Sequence, residues 1–150
     1  MKIVPYLLIL IAPLSGCVFS KDALPSRAFH SAVIPKKETG YIPLSAPVFH
    51  PKKSELRQVE TVLEKVYREK ILTWTHTPAL LRNYYRQYFG YLDENGDRIV
   101  FVQCFAIDMR GDDFWRTFFM RIDDGCDVVF RVKINLKTNT YSDFDMNSCG

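Results

Sequence analysis

At 150 residues and 47% hydrophobic content, the chain has room for one domain with appendages and is too apolar to be disordered throughout. Its 20 Lys and Arg stand against 17 Asp and Glu, and the basic residues gather on no single stripe. That pattern excludes a nucleic-acid footprint.

Lys2 supplies a short positive start, and residues 3–14 form a 12-residue apolar run broken only by Pro5, Tyr6 and Pro13. The run ends in Leu14-Ser15-Gly16-Cys17. A positive start, about 7–15 apolar residues and small residues before a cut describe a secretory signal peptide, whereas a spanning helix needs roughly 20 apolar residues. Leu14-Ser15-Gly16-Cys17 resembles the lipobox of bacterial lipoproteins: Leu, two small residues, then an obligatory Cys. The resemblance covers the first 17 residues. It implies lipid attachment at Cys17 and cleavage before it, so that 1–16 is a lipoprotein signal peptide. A plain signal peptide and an uncleaved anchor stand as alternatives, because residues 3–20 carry no charge. Pro13, Ser15 and Gly16 interrupt that stretch as a lipid-facing helix. One acyl chain anchors only marginally, and the several chains implied by the resemblance would make release negligible. Val18 is not the aspartate associated in that family with inner-membrane retention, which favours the outer membrane of a Gram-negative cell.

Residues 17–53 read as a lipidated cysteine and tether. Pro25, Pro35, Pro43, Pro47 and Pro51 punctuate them, with Lys36, Lys37, Lys52 and Lys53 between. Proline at this density favours extended, semi-rigid chain. The apolar groups Ala32-Val33-Ile34 and Tyr41-Ile42-Pro43-Leu44 exceed what a solvated linker needs, so part of the arm is also readable as an edge strand or cover.

Residues 54–150 read as a small α+β domain. A helix is expected over 54–72, with Ser54 as N-cap, Glu55 and Glu60 early, and Lys65, Arg68 and Lys70 late. Leu56, Val59, Val62, Leu63 and Val66 make its apolar stripe. Strands are expected over 82–92, 98–107, 114–122, 128–136 and 141–146. Asn95-Gly96 and Asp124-Gly125 mark hairpin turns. The result is one amphipathic helix packed on a four- to five-stranded antiparallel meander. Val128, Phe130, Val132 and Ile134 should face the helix. A two-residue loop at Asp124-Gly125 would set Phe119 opposite Phe130 and Trp115 opposite Ile134, completing a core with Phe89, Val100 and Val102. The arrangement resembles cystatin-like domains in topology alone, and none of that family's inhibitory motifs is present.

Three groupings bear on chemistry. The histidines His30, His50 and His76 and the strand cysteine Cys104 form no nucleophilic constellation, so no catalytic residue is expected. In the meander the two acidic turns share one end of the sheet, gathering Asp93, Asp97, Asp123, Asp124 and Asp127 as a candidate Ca²⁺ site. The competing reading is ordinary turn hydrogen bonding. The face opposite the helix would carry Tyr88, Phe101, Phe105 and Phe118 interleaved with Arg116, Arg131 and Lys133, with Arg86 and Met120 beside them. That face is either a partner surface or an area covered by the arm or another copy of the chain. Cys126 and Cys149 are expected to form a disulfide in an oxidising compartment, because the turn at 137–140 folds one back within a bulge's reach of the other. Cys104 is expected to be free and buried.

The functional expectation is a lipid-anchored, non-catalytic envelope protein. Its partners would be the membrane, through the anchor, and an envelope protein or cell-wall component. The alternative is a small inhibitor or immunity-type lipoprotein that blocks a hydrolase or toxin, which a neighbouring toxin gene would favour.

Overall fold

The computed structural model describes residues 30–35, 45–74, 79–107, 109, 112–123 and 125–147. It is an α+β arrangement: one helix packs on a mostly antiparallel sheet. Helix α1 (Lys53–Val66) begins where the Glu55 carboxylate accepts the Lys52 amide at 2.7 Å, a capping contact one turn into the helix. Val59, Val62, Leu63 and Val66 bury on one face, as their spacing requires. The helix continues through a widened turn, Tyr67–Ile71, in which the Leu72 amide donates to the Tyr67 carbonyl, and ends at Trp74.

Strands β1 (Ser31–Val33) and β2 (Val48–Phe49) come from the arm. They are followed by β3 (Tyr85–Leu92), β4 (Arg98–Phe105), β5 (Val129–Asn135) and β6 (Thr140–Met146). The sheet runs β1-β3-β4-β5-β6, with β1 parallel to β3 and β2 antiparallel to it farther along the same edge. The folded unit therefore takes in arm residues ahead of Ser54. Ala32, Val33 and Ile34 are the ones that join it, while Tyr41 to Leu44 lie outside the described residues. Gly90 is what admits β2: a Cβ there would sit 2.6 Å from the Phe49 carbonyl and 2.8 Å from its ring. Arg98 then closes over the same ring at 3.6 Å.

The expected strand over 114–122 is not formed. Residues 114–116 make a single 3₁₀ turn, and β5 pairs directly with β4, Phe130 opposite Cys104 and Ile134 opposite Val100. Contrary to what their spacing predicts, Phe119 therefore does not stand opposite Phe130, nor Trp115 opposite Ile134. The segment between β4 and β5 instead lies across the sheet face away from the helix. All seven expected core residues are buried, but on two faces. Phe130, Ile134, Val100 and Val102 meet the helix, whereas Phe89 and Phe119 pack on the far side, and Trp115 does so in a neighbouring cluster with Tyr85, Phe105 and Val129. Val128 packs with that far-side cluster rather than under the helix.

Candidate functional site

Six side chains expected to form an outward surface are occupied otherwise. Tyr88 and Arg86 turn toward the helix, where Arg86 lies 3.1 Å from Glu60 and the Tyr88 hydroxyl donates to the same carboxylate. Phe101 and Phe105 are on the far face but buried. Arg131 is 4% exposed and Met120 half-buried. The cause is the segment 112–123, which covers the centre of that face. A row of side chains crossing the strands holds it there. Gln87 donates to the Trp115 and Phe118 carbonyls (2.5 and 2.6 Å) and accepts from the Met120 amide, and Gln103 donates to the Met120 carbonyl at 2.7 Å. Arg131 donates to Gln103, Asn147 and the Ile122 carbonyl, the last two at 2.7 Å. A segment outside the ladder must find partners for its buried backbone, and these three side chains supply them. Phe118 and Arg116 remain accessible on its outer side. Phe118 stacks on Phe114 at 4.8 Å, and Arg116 lies over the Trp115 ring at 4.4 Å.

The acidic turns are not brought together. Because β5 joins β4 directly, Val129 stands opposite Phe105, so Asp123 precedes β5 at the Phe105 end of the sheet. Asp93 and Asp97 belong to the hairpin at the other end, beyond Leu92 and Arg98. About seven residue steps of roughly 3.4 Å separate the two ends. Asp93 serves its own turn, accepting the Asn95 and Asp97 amides at 2.9 and 2.8 Å, with Gly96 at φ +76° completing the reversal. Asp97 is bridged to Lys137 at 2.8 Å and accepts from Asn135, and those hydrogen bonds hold its carboxyl below the usual range. Asp123 pairs with Arg121 at 3.2 Å. Asp124 lies outside the described residues, as does the Asp127 side chain. Among the described residues no three His, Cys, Asp or Glu side chains converge as metal ligands.

Of the cysteines, Cys104 is free and fully buried, and burial pushes its thiol far above the ordinary range. Cys126 is disulfide-bonded. Cys149, its expected partner, lies outside the described residues, as does Cys17.

A cleft of about 460 Å³ opens at the hairpin end of the far face. Its walls are Ser45 to Pro47, the turn at 92–95, Tyr91 and Lys133. Pro47 is held there because its carbonyl accepts the Leu92 amide at 2.8 Å. Lys133 is bridged at 2.6 Å to Asp143, a β6 residue at φ +49° where the β5–β6 register shifts. That carboxylate holds the Lys133 ammonium above its usual range. Burial pushes the Tyr91 hydroxyl up, and the neighbouring ammonium works in the opposite sense. The cleft thus offers an ammonium, a phenol and the carboxylates of Asp93 and Glu94, a set suited to hydrogen-bonded recognition of a polar ligand. Of the expected partner surface, Lys133 belongs to this cleft. Tyr91, Asp143 and the arm residues were not singled out in the sequence; aromatic residues at both strand parities hid Tyr91. Compared with known protein families, with curated proteins and with solved structures, the chain matches none.

Proposed function

We propose that the protein is a lipid-anchored cell-envelope module that binds a protein or cell-wall partner through the Tyr91–Lys133 cleft, without catalysing a reaction. The lipobox-like Leu14-Ser15-Gly16-Cys17 supports the anchor, with Val18 favouring the outer membrane in a Gram-negative host. The observation that carries the binding role is the cleft itself. Its polar groups are already oriented by intramolecular contacts: Lys133 by Asp143, and Asp93 by two turn amides. Groups held this way recognise a partner without first being ordered.

The test is retention of the full chain on purified cell wall and, separately, capture from an envelope extract, comparing the parent with Lys133→Met and Tyr91→Ala. Arg57→Ala, on the exposed side of α1, is the control. Both cleft variants should lose at least about tenfold of the binding that the control keeps, as expected for the loss of roughly 1.4 kcal/mol or more. Equal retention by all four chains, each shown folded by thermal melting, would refute the cleft as the site.

A further inference from the structure

The large apolar side chains left exposed in the described residues are not scattered. Six of the seven, Leu72, Trp74, Leu80, Ile107, Phe114 and Phe118, lie at or next to the end of the sheet where β3 begins and β4 finishes. Helix α1 leads there: Glu55 meets Arg98 at one end of the sheet, Glu60 meets Tyr88 midway, and Tyr67 packs on Tyr84 just before β3. Leu72 and Trp74 lie one to two helical turns beyond Tyr67, and Leu80 precedes the turn into β3. Ile107 leaves β4 after Phe105, and Phe114 and Phe118 flank the Trp115 that packs on Tyr85 and Phe105. Trp74 is 74% exposed. The first described residues of the arm sit at this same end, since the His30 ring lies 4.6 Å from that of Tyr85 and Ser31 pairs with Arg86. Twelve residues lie between Cys17 and His30, thirteen steps that reach at most about 45 Å when fully extended.

From this coincidence we infer that this pole seats on the lipid bilayer, with Trp74 and Phe114 in the interfacial layer and the Tyr91–Lys133 cleft turned away from the membrane. The inference rests on the proposed lipid anchor for its geometry. The connection reaches the domain at that pole, next to the exposed apolar side chains and nearest the surface in which a lipid on Cys17 would be buried. Trp and Phe are the side chains that settle at the boundary of headgroups and acyl chains. Charge at the pole is mixed: Arg82 stands in the turn before β3, and Arg116 pairs with Asp113 at 2.9 Å. Apolar insertion therefore drives the contact, and a zwitterionic bilayer suffices.

The chain contains two tryptophans, and Trp115 is 1% exposed, so lipid-dependent fluorescence reports on Trp74. The full lipidated chain is reconstituted into phosphatidylcholine vesicles containing acyl-brominated phosphatidylcholine. Bromolipid should quench the parent, and that quenching should be absent from Trp74→Phe. Vesicle-bound protein whose Trp74 is quenched by aqueous acrylamide but not by bromolipid would overturn the inference. Should fatty-acid labelling show no lipid on Cys17, the anchor reading fails separately, and the unlipidated chain titrated with the same vesicles decides. A blue shift on lipid addition supports the pole as a membrane surface, and an unshifted spectrum at saturating lipid rejects it. A blue shift that follows protein concentration without lipid would assign the pole to a second copy of the chain and overturn the proposal.

Discussion

Two buried groups on the helix-facing side of the sheet couple stability to alkaline pH. Cys104 is raised above its ordinary pKa by burial, against a smaller lowering by Arg86. Tyr88 is raised by burial and then by Glu60. In both cases the folded state favours the protonated, neutral form. Their stabilisation is therefore complete below the unfolded pKa values, about 8.5 for a thiol and 10 for a phenol, and is lost as pH rises toward the higher folded values. Denaturant unfolding should show stability falling above about pH 8.5 by up to roughly 1.4 kcal/mol per pH unit for the first group, and more steeply once the second titrates. Cys104→Ala should lower stability at every pH through the lost packing, yet remove the first part of the slope. An unchanged slope between about pH 8.5 and 10 in that variant would contradict the assignment to Cys104. That Cys104 is free and buried was legible from its place among Val100 and Val102. Its companions were not, because Arg86 and Tyr88 occupy a strand with aromatic residues at both parities and no alternation to fix its faces.

Among the elements, the segment between β4 and β5 shows where pattern reading stops. Phe114, Trp115, Phe118 and Phe119 have the composition of a strand, but Gln87, Gln103 and Arg131 bond the Trp115, Phe118, Met120 and Ile122 carbonyls in place of a ladder. The available signal was those three polar residues, one on each of three successive strands at the parity of the far-face aromatics. A wholly apolar covering would not have needed them. Missing that element also misplaced the acidic turns, since one strand more or fewer in a meander moves the next turn to the opposite end. The helix, the β3–β4 hairpin and the β5–β6 pairing were legible because α1 has a clean apolar stripe, Asn95-Gly96 marks a turn, and β5 alternates strictly between Phe130 and Ile134. Arg131→Met should take one donor from each of the Gln103, Asn147 and Ile122 acceptors, leaving Ile122 the Asn147 amide alone, and destabilise the domain by about 1–3 kcal/mol. Limited proteolysis should then cut within 106–128 under conditions where the parent is intact and the remainder of the variant resists. Equal protection of that segment in parent and variant would show that the row does not hold it.

At the scale of the molecule, the sheet has two opposed poles. One collects exposed apolar side chains beside His30 and Ser31, and the other carries the polar cleft between Pro47, Tyr91 and Lys133. The proposed anchor gives that polarity a direction, membrane at one end and partner at the other. The proposed anchor rests on the motif Leu14-Ser15-Gly16-Cys17 alone, which lies outside the described residues. The cleft could not be read from the sequence, because it is assembled from an arm, a turn and two strands separated by up to about 90 positions. The direct test of the lipid-anchor claim is metabolic labelling of the expressed full chain with a radioactive or alkyne-bearing fatty acid, compared with Cys17→Ser. A labelled, shortened product is expected from the parent and an unlabelled precursor from the variant. Equal labelling of the two, or no label in either, would contradict it.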